Sequence, residues 1–215
     1  MKKDKNIIEL KPIPVSHATI YIEGDSDLVL NCMNARNTRT LVNKQNGEKT
    51  SNTDAPNPWE DIITSIHWYK PLAIDDTFKS CDKTLYSKLL KDNNPCITAF
   101  GLKKSFCDSV VRNQIDTYST KFANAVNVLG DRGLIPITFA EASIDERLMS
   151  PKKGSPVLTR LNHFSGWKAK FDIRYTENVY SLQEIADIIN YAGFGLGIGS
   201  GRSSGYGRYH IVDIK

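Results

Sequence analysis

The sequence predicts an α+β fold of the ferredoxin-like type with an antiparallel sheet, and two patterns near its C-terminus support this prediction. Apolar and charged residues alternate over 167–175, which is the period of a half-buried strand. A helical pattern at 182–192 and a last strand at 208–214 follow. This β-α-β order has a crossover too short for a large doubly wound sheet, and it suits a split β-α-β fold.

The helix before the last strand has recognisable ends. Ser181 and Glu184 have the spacing of a capping box, which marks the start of a helix. Gly193 is expected to end it, because glycine is the commonest helix stop. The apolar face consists of Leu182, Ile185, Ile188 and Ile189.

The rest of the chain shows the same two periodicities. Asn57 and Pro58 mark a helix start, because Asn favours the N-cap and Pro the first turn. Apolar residues at every fourth position predict a helix over 98–116. The other expected elements are strands at 7–10, 18–22 and 28–30, a turn at 23–27, a short helix at 121–129, a strand at 134–137, and irregular chain over 143–165 with a basic, mobile loop at 151–156.

The segment 31–57 interrupts this pattern after the first strands. It is rich in Asn, Thr, Lys and Arg and contains few apolar residues. A loop of this length inside a compact domain is usually functional or disordered. We therefore expect a single domain over 1–215 with a long polar insertion at 31–57, for which plain flexibility is one interpretation.

Two G-apolar-G pairs, separated by five residues, precede the last strand. Glycine has no Cβ to hold a phosphate away from the main chain, and it adopts positive φ without penalty. Consecutive N–H groups in such a turn can form a concavity for anions, which Arg202 and Arg208 would reinforce. The four glycines are Gly197, Gly199, Gly205 and Gly207.

Commoner phosphate loops do not fit this arrangement. A dinucleotide fingerprint must leave a strand and open a helix, whereas this loop leaves a helix and opens a strand. No Lys-Ser or Lys-Thr follows a glycine loop, which excludes a nucleoside triphosphate P-loop.

The four cysteines form no C-x-x-C pair, so no metal or cofactor is expected. They are interpreted as reduced thiols of a cytoplasmic protein. No segment approaches the length of a membrane span, so a membrane partner is not expected.

The net charge of +4 is concentrated in one part of the chain. Residues 150–215 carry nine Lys/Arg against five Asp/Glu, whereas residues 1–149 carry 19 of each. The surplus positive charge thus accompanies the glycine loop, where an anionic polymer would lie. A merely soluble basic surface is the alternative.

The glycine pattern resembles the glycine-rich loop of the RAMP superfamily, the RNA-binding and RNA-processing proteins of CRISPR systems, over roughly 167–214. The resemblance implies an RRM-like sheet, single-stranded RNA or DNA as partner, and side-by-side homo-oligomers along the strand. It also implies a thumb-like hairpin within 31–57. The nucleic-acid-binding residues expected are Gly197, Gly199, Gly201, Arg202, Ser203, Gly205, Tyr206, Gly207 and Arg208 in the loop, Lys168, Lys170 and Arg174 on the adjacent strand, and Arg36 and Arg39 in the insertion.

A second resemblance covers more of the chain. Segments 22–28, 100–103, 192–199 and 205–209 are similar to a widespread, largely uncharacterised group of bacteriophage proteins. This resemblance implies a phage protein acting in the host cytoplasm, and it implies no activity.

Aromatic and histidine residues near the loop have two interpretations each. Tyr206 and Tyr209 either stack on unpaired bases or pack into the core. His163, expected in a flexible loop, is the weak catalytic candidate, because histidine titrates near neutrality and can move a proton at a ribose 2′-hydroxyl. His210 would touch RNA without reacting.

The hypothesis is a phage protein that binds single-stranded nucleic acid, RNA in preference to DNA, without cutting it. One alternative is a metal-independent endoribonuclease that uses His163. The other is a protein-interaction module, such as a mimic of a CRISPR subunit or a partner of a host protein, in which the glycine loop is only a structural turn.

Overall fold

The computed structural model describes residues 12–47, 57–73, 78, 80–149 and 157–215. In these ranges the strands are β1 (Ser16–Gly24), β2 (Leu28–Leu30), β3 (His67–Trp68), β4 (Pro95–Thr98), β5 (Val126–Leu129), β6 (Leu134–Thr138), β7 (Glu141–Met149), β8 (Val157–Ser165), β9 (Lys168–Tyr175) and β10 (Tyr209–Ile214). The helices are α1 (Ala35–Gln45), α2 (Pro58–Thr64), α3 (Lys83–Asp92), α4 (Ala99–Arg112), α5 (Thr120–Ala125) and α6 (Leu182–Gly195), with a short 3₁₀ helix at Arg202–Ser204. The strand expected at 7–10 and the loop expected at 151–156 lie outside the described residues.

Seven antiparallel strands form the main sheet, in the order β10-β1-β9-β6-β4-β3, with β5 also paired to β9. Strand β1 lies between β9 and β10, pairing Glu23 with Lys168 on one side and Gly24 with Tyr209 on the other. Because β9 and β10 are both antiparallel to β1, they run parallel to each other and are joined by α6. This is the split β-α-β unit that the sequence predicted.

The hydrophobic core lies on the helix-covered face of this sheet. Burial alternates along β9, with Phe171 and Ile173 inward and the charged residues outward, which confirms the predicted half-buried strand. Phe106 of α4 and Ile189 of α6 are fully buried, and α4 and α6 pack against each other on this face. The helix predicted at 98–116 is therefore confirmed, although it ends at Arg112.

A second, three-stranded sheet has the order β2-β8-β7. Strands β7 and β8 form a long hairpin that pairs Glu141 with Ser165 and continues to Met149 and Val157. The prediction of irregular chain over 143–165 was wrong. The sequence does not predict these strands, because both contain many polar residues and show no regular alternation of apolar residues.

Two other local predictions were wrong. Residues 121–129 are not one helix, since α5 ends at Ala125 and the chain continues as β5 beside β9. Gly193 does not end α6, which runs to Gly195. A Cβ on Gly193 would lie 2.0 Å from the carbonyl oxygen of Tyr209, so this glycine allows β10 to approach the helix.

Part of the polar segment 31–57 is helical. Helix α1 begins after Asn34, whose side chain accepts a hydrogen bond from the Asn37 amide, and it packs against α2. This helix occupies part of the segment for which the sequence suggested a thumb-like hairpin or plain flexibility. The remaining part, 48–56, lies outside the described residues. The predicted start of α2 is confirmed, because Asn57 caps it and Pro58 is its first residue.

Candidate functional site

The glycine loop joins α6 to β10 and folds back on itself. Five of its glycines have positive φ, between 70° and 87°. A Cβ on Gly207 would lie 1.9 Å from the Ile198 carbonyl oxygen, and one on Gly199 would lie 2.5 Å from that of Val29. These glycines therefore allow close packing of the loop against itself and against β2. The five glycines are Gly197, Gly199, Gly201, Gly205 and Gly207.

Most backbone N–H groups of the loop already donate hydrogen bonds within the protein. The Ile198 amide donates to the Gly207 carbonyl at 3.0 Å, and the Ser200 amide donates to the Val29 carbonyl at 2.8 Å. The expected anion-binding concavity is therefore restricted to the loop tip. Among the described residues, the amides without such a bond in this loop are those of Gly199, Gly201, Arg202 and Ser203.

The turn after β1 holds the far end of the loop. The Ser26 hydroxyl donates to the Gly205 carbonyl at 2.8 Å and accepts from the Arg208 amide at 2.9 Å. The Gly207 amide donates to the Asp27 carbonyl at 2.8 Å. Two segments about 180 residues apart in sequence, 23–27 and 205–208, thus form one unit.

Arg202 and Arg208 line a cavity of about 420 Å³ together with Arg112, which ends α4. The Nη2 atom of Arg208 donates to the Arg202 carbonyl at 3.3 Å, whereas its buried Nη1 atom has no hydrogen-bond partner among the described residues. No acidic residue lines this cavity, and within the described part of the chain none of the three guanidinium groups forms an ion pair. The structure therefore brings together three uncompensated positive charges.

Arg112 is a candidate site residue that the sequence did not predict. It lies about 90 residues before the glycine loop, and its helical pattern indicated only that it is on the polar side of α4. Helix α4 packs against α6, and Ser105 donates a hydrogen bond to the Gly197 carbonyl at 2.9 Å, which brings α4 to the loop. No local sequence signal reports this packing.

A second cavity, of about 270 Å³, lies on the other side of Arg202. Its lining is mostly apolar and comes from β2, β4, the start of α4 and the glycine loop. Burial raises the pKa of the Cys96 thiol to about 11 and also raises the pKa of Cys32, so both thiols in the lining are neutral at physiological pH. Asn31, His67 and Lys104 supply polar groups at its edge.

Tyr206 connects the glycine loop to the β7–β8 hairpin. Its hydroxyl accepts a hydrogen bond from Arg147 at 2.5 Å, and its ring meets His163 edge to face at a centroid distance of 5.1 Å. The hydrogen bond with Tyr206 and, to a smaller extent, the hydrogen bond with Asp145 raise the pKa of Arg147. Tyr209 is only 1% exposed and packs in the core, so it offers no surface to a base.

The sequence predicted that His163 lies in a flexible loop, and this prediction was wrong. It lies within β8, and its ring is buried. Its nitrogen atoms are 3.8 Å from an Asp27 carboxylate oxygen and 3.7 Å from one of Asp145, and its Nε2 atom has no hydrogen-bond partner in the described structure. A ribose hydroxyl does not reach this buried ring.

His210 lies on the outer face of β10 and is half exposed. Its Nδ1 atom is 2.6 Å from an Asp25 carboxylate oxygen. It therefore sits beside the glycine loop, in a position where it can contact a ligand.

The basic residues of β9 point outward from the sheet, as predicted. Lys168 forms an ion pair with Glu23 at 3.0 Å, and the Lys170 ammonium lies 5.5 Å from the centre of the Tyr21 ring. Arg174 is paired with His17, at the other end of β1. At 3.3 Å per residue, its Cα lies about 20 Å along the strand from that of Lys168. The structure therefore does not bring Arg174 to the glycine loop.

Arg36 and Arg39 of α1 are both engaged by α2. Arg36 contacts the Asp61 carboxylate at 2.7 Å, and Arg39 contacts the buried Glu60 carboxylate at 2.5 Å. These arginines hold the two helices together. They were expected on a thumb beside RNA, and the structure places them in this intramolecular contact.

Two kinds of site are absent from the described ranges, 12–47, 57–73, 78, 80–149 and 157–215. No group of three or more His, Cys, Asp or Glu side chains there is placed to hold a metal ion. No helix there combines the length and apolar character needed to cross a membrane.

No protein-family model matches the sequence, and no curated protein matches it significantly. Among solved structures, it is similar to a chain of the Type III-B Cmr-beta complex bound to cognate target RNA, with a TM-score of 0.50 and 13% identity over 94% of this chain. The match spans 60% of that chain's length. It also matches Cmr6 from Pyrococcus furiosus with a TM-score of 0.39 and 11% identity, over 93% of this chain and 98% of that one. The likeness to the Cmr-beta chain confirms the predicted α+β, ferredoxin-like fold with an antiparallel sheet.

Proposed function

We propose that this protein binds single-stranded nucleic acid, RNA in preference to DNA, at the tip of its glycine loop, and that it does not cut the strand. The observation that carries the proposal is that the guanidinium groups of Arg202 and Arg208, beside the loop, form no ion pair with the described residues. Arginine without a carboxylate partner is suited to bidentate contact with phosphate. The fold likeness to a chain whose complex was solved with target RNA supports RNA as the polymer.

The expected contacts follow from the geometry of the loop tip. The free amides of Gly201, Arg202 and Ser203 and the two arginines would contact phosphates. Lys168 and Lys170, at the same end of the sheet as the loop, would contribute weaker electrostatic attraction. Side-by-side assembly along the strand, a single domain over 1–215, a phage origin and action in the host cytoplasm remain parts of the proposal that rest on the sequence alone.

The test is equilibrium binding of the full-length protein to a labelled single-stranded RNA between 50 and 300 mM KCl. We expect affinity to fall steeply with salt, because phosphate contacts release counterions. The absorbance ratio at 260 and 280 nm after purification at low salt should also report bound nucleic acid, which nuclease digestion would identify. Absence of binding at 50 mM salt would reject the proposal.

A protein-interaction module is the second candidate function. The observation that favours it is the internal use of most loop amides, since these bonds and the close glycine contacts explain the loop as a structural turn. Co-purification with a host or CRISPR protein and no nucleic acid would support it. The endoribonuclease alternative gains nothing from His163, whose ring is buried, and RNA that stays intact in EDTA after long incubation would argue against it.

A further inference from the structure

The two cavities beside the glycine loop have complementary chemistry and share one side chain. Arg202 lines both the arginine cavity, formed with Arg112 and Arg208, and the apolar cavity next to β2 and β4. One cavity is thus positively charged, and the other is mostly apolar. A ligand that fills both would carry an anionic group close to an apolar group.

The arginine cavity is electrostatically incomplete as it stands. Three guanidinium groups line a cavity of about 420 Å³, and none of the described residues in its lining is acidic. Like charges in one cavity repel one another, and the buried Nη1 of Arg208 has no acceptor in the part of the chain that the structure describes. A phosphate group supplies both the missing negative charge and the missing acceptor oxygens.

The apolar cavity has the size and lining for one planar ring system. At about 270 Å³ it is slightly smaller than the roughly 300–1,000 Å³ of pockets that hold drug-sized ligands. Leu30, Ile97 and Ile198 provide apolar walls. The exposed side-chain amide of Asn31 forms no hydrogen bond within the described residues, so it is free to meet the polar edge of a base.

We propose that the two cavities form one site for a single unstacked nucleotide of the bound strand. Its phosphate lies between Arg112, Arg202 and Arg208, and its base enters the apolar cavity against Asn31. This inference rests on the proposed function and deepens it, because it assigns a base-binding pocket and gives Arg112 a role.

The experiment compares two exposed-residue variants with matched controls, using a fluorescent twelve-nucleotide oligoadenylate and full-length protein from 50 to 300 mM KCl. Arg112→Gln is matched by Lys91→Gln, which also removes a cation from the last turn of a helix. Asn31→Trp, which blocks the mouth of the apolar cavity, is matched by Asn37→Trp on exposed α1. A sugar-phosphate oligomer of equal length without bases is the third probe, and oligodeoxyadenylate tests RNA against DNA.

We expect Arg112→Gln to weaken binding about tenfold and to reduce the slope of log affinity against log salt by about one. Asn31→Trp should weaken binding about tenfold with an unchanged slope, because it removes a base contact and no phosphate contact. The oligomer without bases should bind the wild type about tenfold more weakly, and it should not distinguish Asn31→Trp from the wild type.

Specific results would overturn the inference while leaving the proposed function intact. Equal binding by Arg112→Gln and Lys91→Gln would show that the arginine cavity does not hold a phosphate. Equal binding by Asn31→Trp and Asn37→Trp would show that the apolar cavity does not hold a base. Equal affinity of the wild type for oligomers with and without bases would show the same. Failure of the wild type to bind any oligomer at 50 mM KCl would reject the proposed function and the inference together.

Discussion

Two basic regions lie at the same end of the main sheet, and they differ in what neutralises their charge. Beside the glycine loop, Arg112, Arg202 and Arg208 have no carboxylate partner among the described residues. On β9, Lys168 is paired with Glu23, and Lys170 lies against the Tyr21 ring. The first region carries a net positive field, whereas in the second the Glu23 carboxylate compensates the charge of Lys168.

The contrast shows why a count of charges in the sequence ranks these regions poorly. Lys168, Lys170 and the two loop arginines all belong to the C-terminal surplus of basic residues. A cation contributes less to ligand binding when it already forms an ion pair with a carboxylate of the same protein. The same reasoning removes Arg36 and Arg39, which are paired with Asp61 and Glu60, from the candidate site.

The strongest test of this comparison is the double variant Arg202→Gln/Arg208→Gln against Lys168→Gln/Lys170→Gln. Each loses two positive charges, so net charge is matched. We expect the double arginine variant to bind single-stranded RNA about 100- to 1,000-fold more weakly, since each substitution removes charge-assisted hydrogen bonds to phosphate. The double lysine variant should lose only a few-fold in affinity. Fluorescence anisotropy at 100 mM KCl measures both, and equal losses would refute the distinction between the two regions.

The loop conformation that presents the arginines should depend on Gly207. We expect Gly207→Ala to destabilise the protein by about 3 kcal/mol, because it adds backbone strain at positive φ and a clash with the Ile198 carbonyl. Gly205→Ala is the control: its φ is also positive, but a Cβ there meets nothing within 4 Å, so about 1 kcal/mol is expected. Urea unfolding measures the free energy of unfolding of both variants and so separates the effect of the clash from that of backbone strain. Similar losses in the two variants would show that the loop relaxes to avoid the clash.

The paired arginines of α1 should matter for stability and not for binding. Arg39→Ala leaves the buried Glu60 carboxylate without its partner. Because the Arg39 side chain is 43% exposed, we expect a loss of about 1–2 kcal/mol, below the 3–5 kcal/mol of a fully buried pair. Lys44→Ala, on the exposed surface of the same helix, should have little effect. A tenfold loss of RNA affinity in Arg39→Ala with unchanged stability would instead support a thumb-like role.

The smallest expected effect comes from converting a paired cation into an unpaired one. Glu23→Gln releases Lys168 and should raise RNA affinity about twofold at 50 mM KCl, with the gain disappearing at 300 mM. Glu177→Gln changes net charge equally at the opposite end of β9 and controls for the overall field. If both variants gain equally, net charge and not local pairing governs binding.

Much of the β-α-β unit was predictable because its signals are local. The alternation on β9, the capping box of α6 and the order of the last elements all follow from residues within a few positions of one another. The capping box also lowers the pKa of Glu184 through hydrogen bonds with Ser181, as expected for a carboxylate at a helix start.

The failures share a different cause. The β7–β8 hairpin exposes polar residues on both strands, so pairing between strands holds it and periodicity does not reveal it. Gly193 has the sequence signal of a helix stop, but its role is to admit the Tyr209 backbone, a contact 16 residues away in sequence. The polar composition of β8 also explains why the sequence predicted a loop at His163.

The α+β class, the β-α-β order and the position of the glycine loop follow from the sequence, because they depend on local spacing and backbone preference. Which cations are available to a ligand depends on the packing of elements that are distant in the chain. Arg112 reaches the loop because α4 packs on α6, while Arg36, Arg39 and Lys168 are neutralised by carboxylates from other elements. Electrostatic pairing acts through space over a few ångströms, and these partners are distant in the chain, so spacing in the sequence carries no record of it.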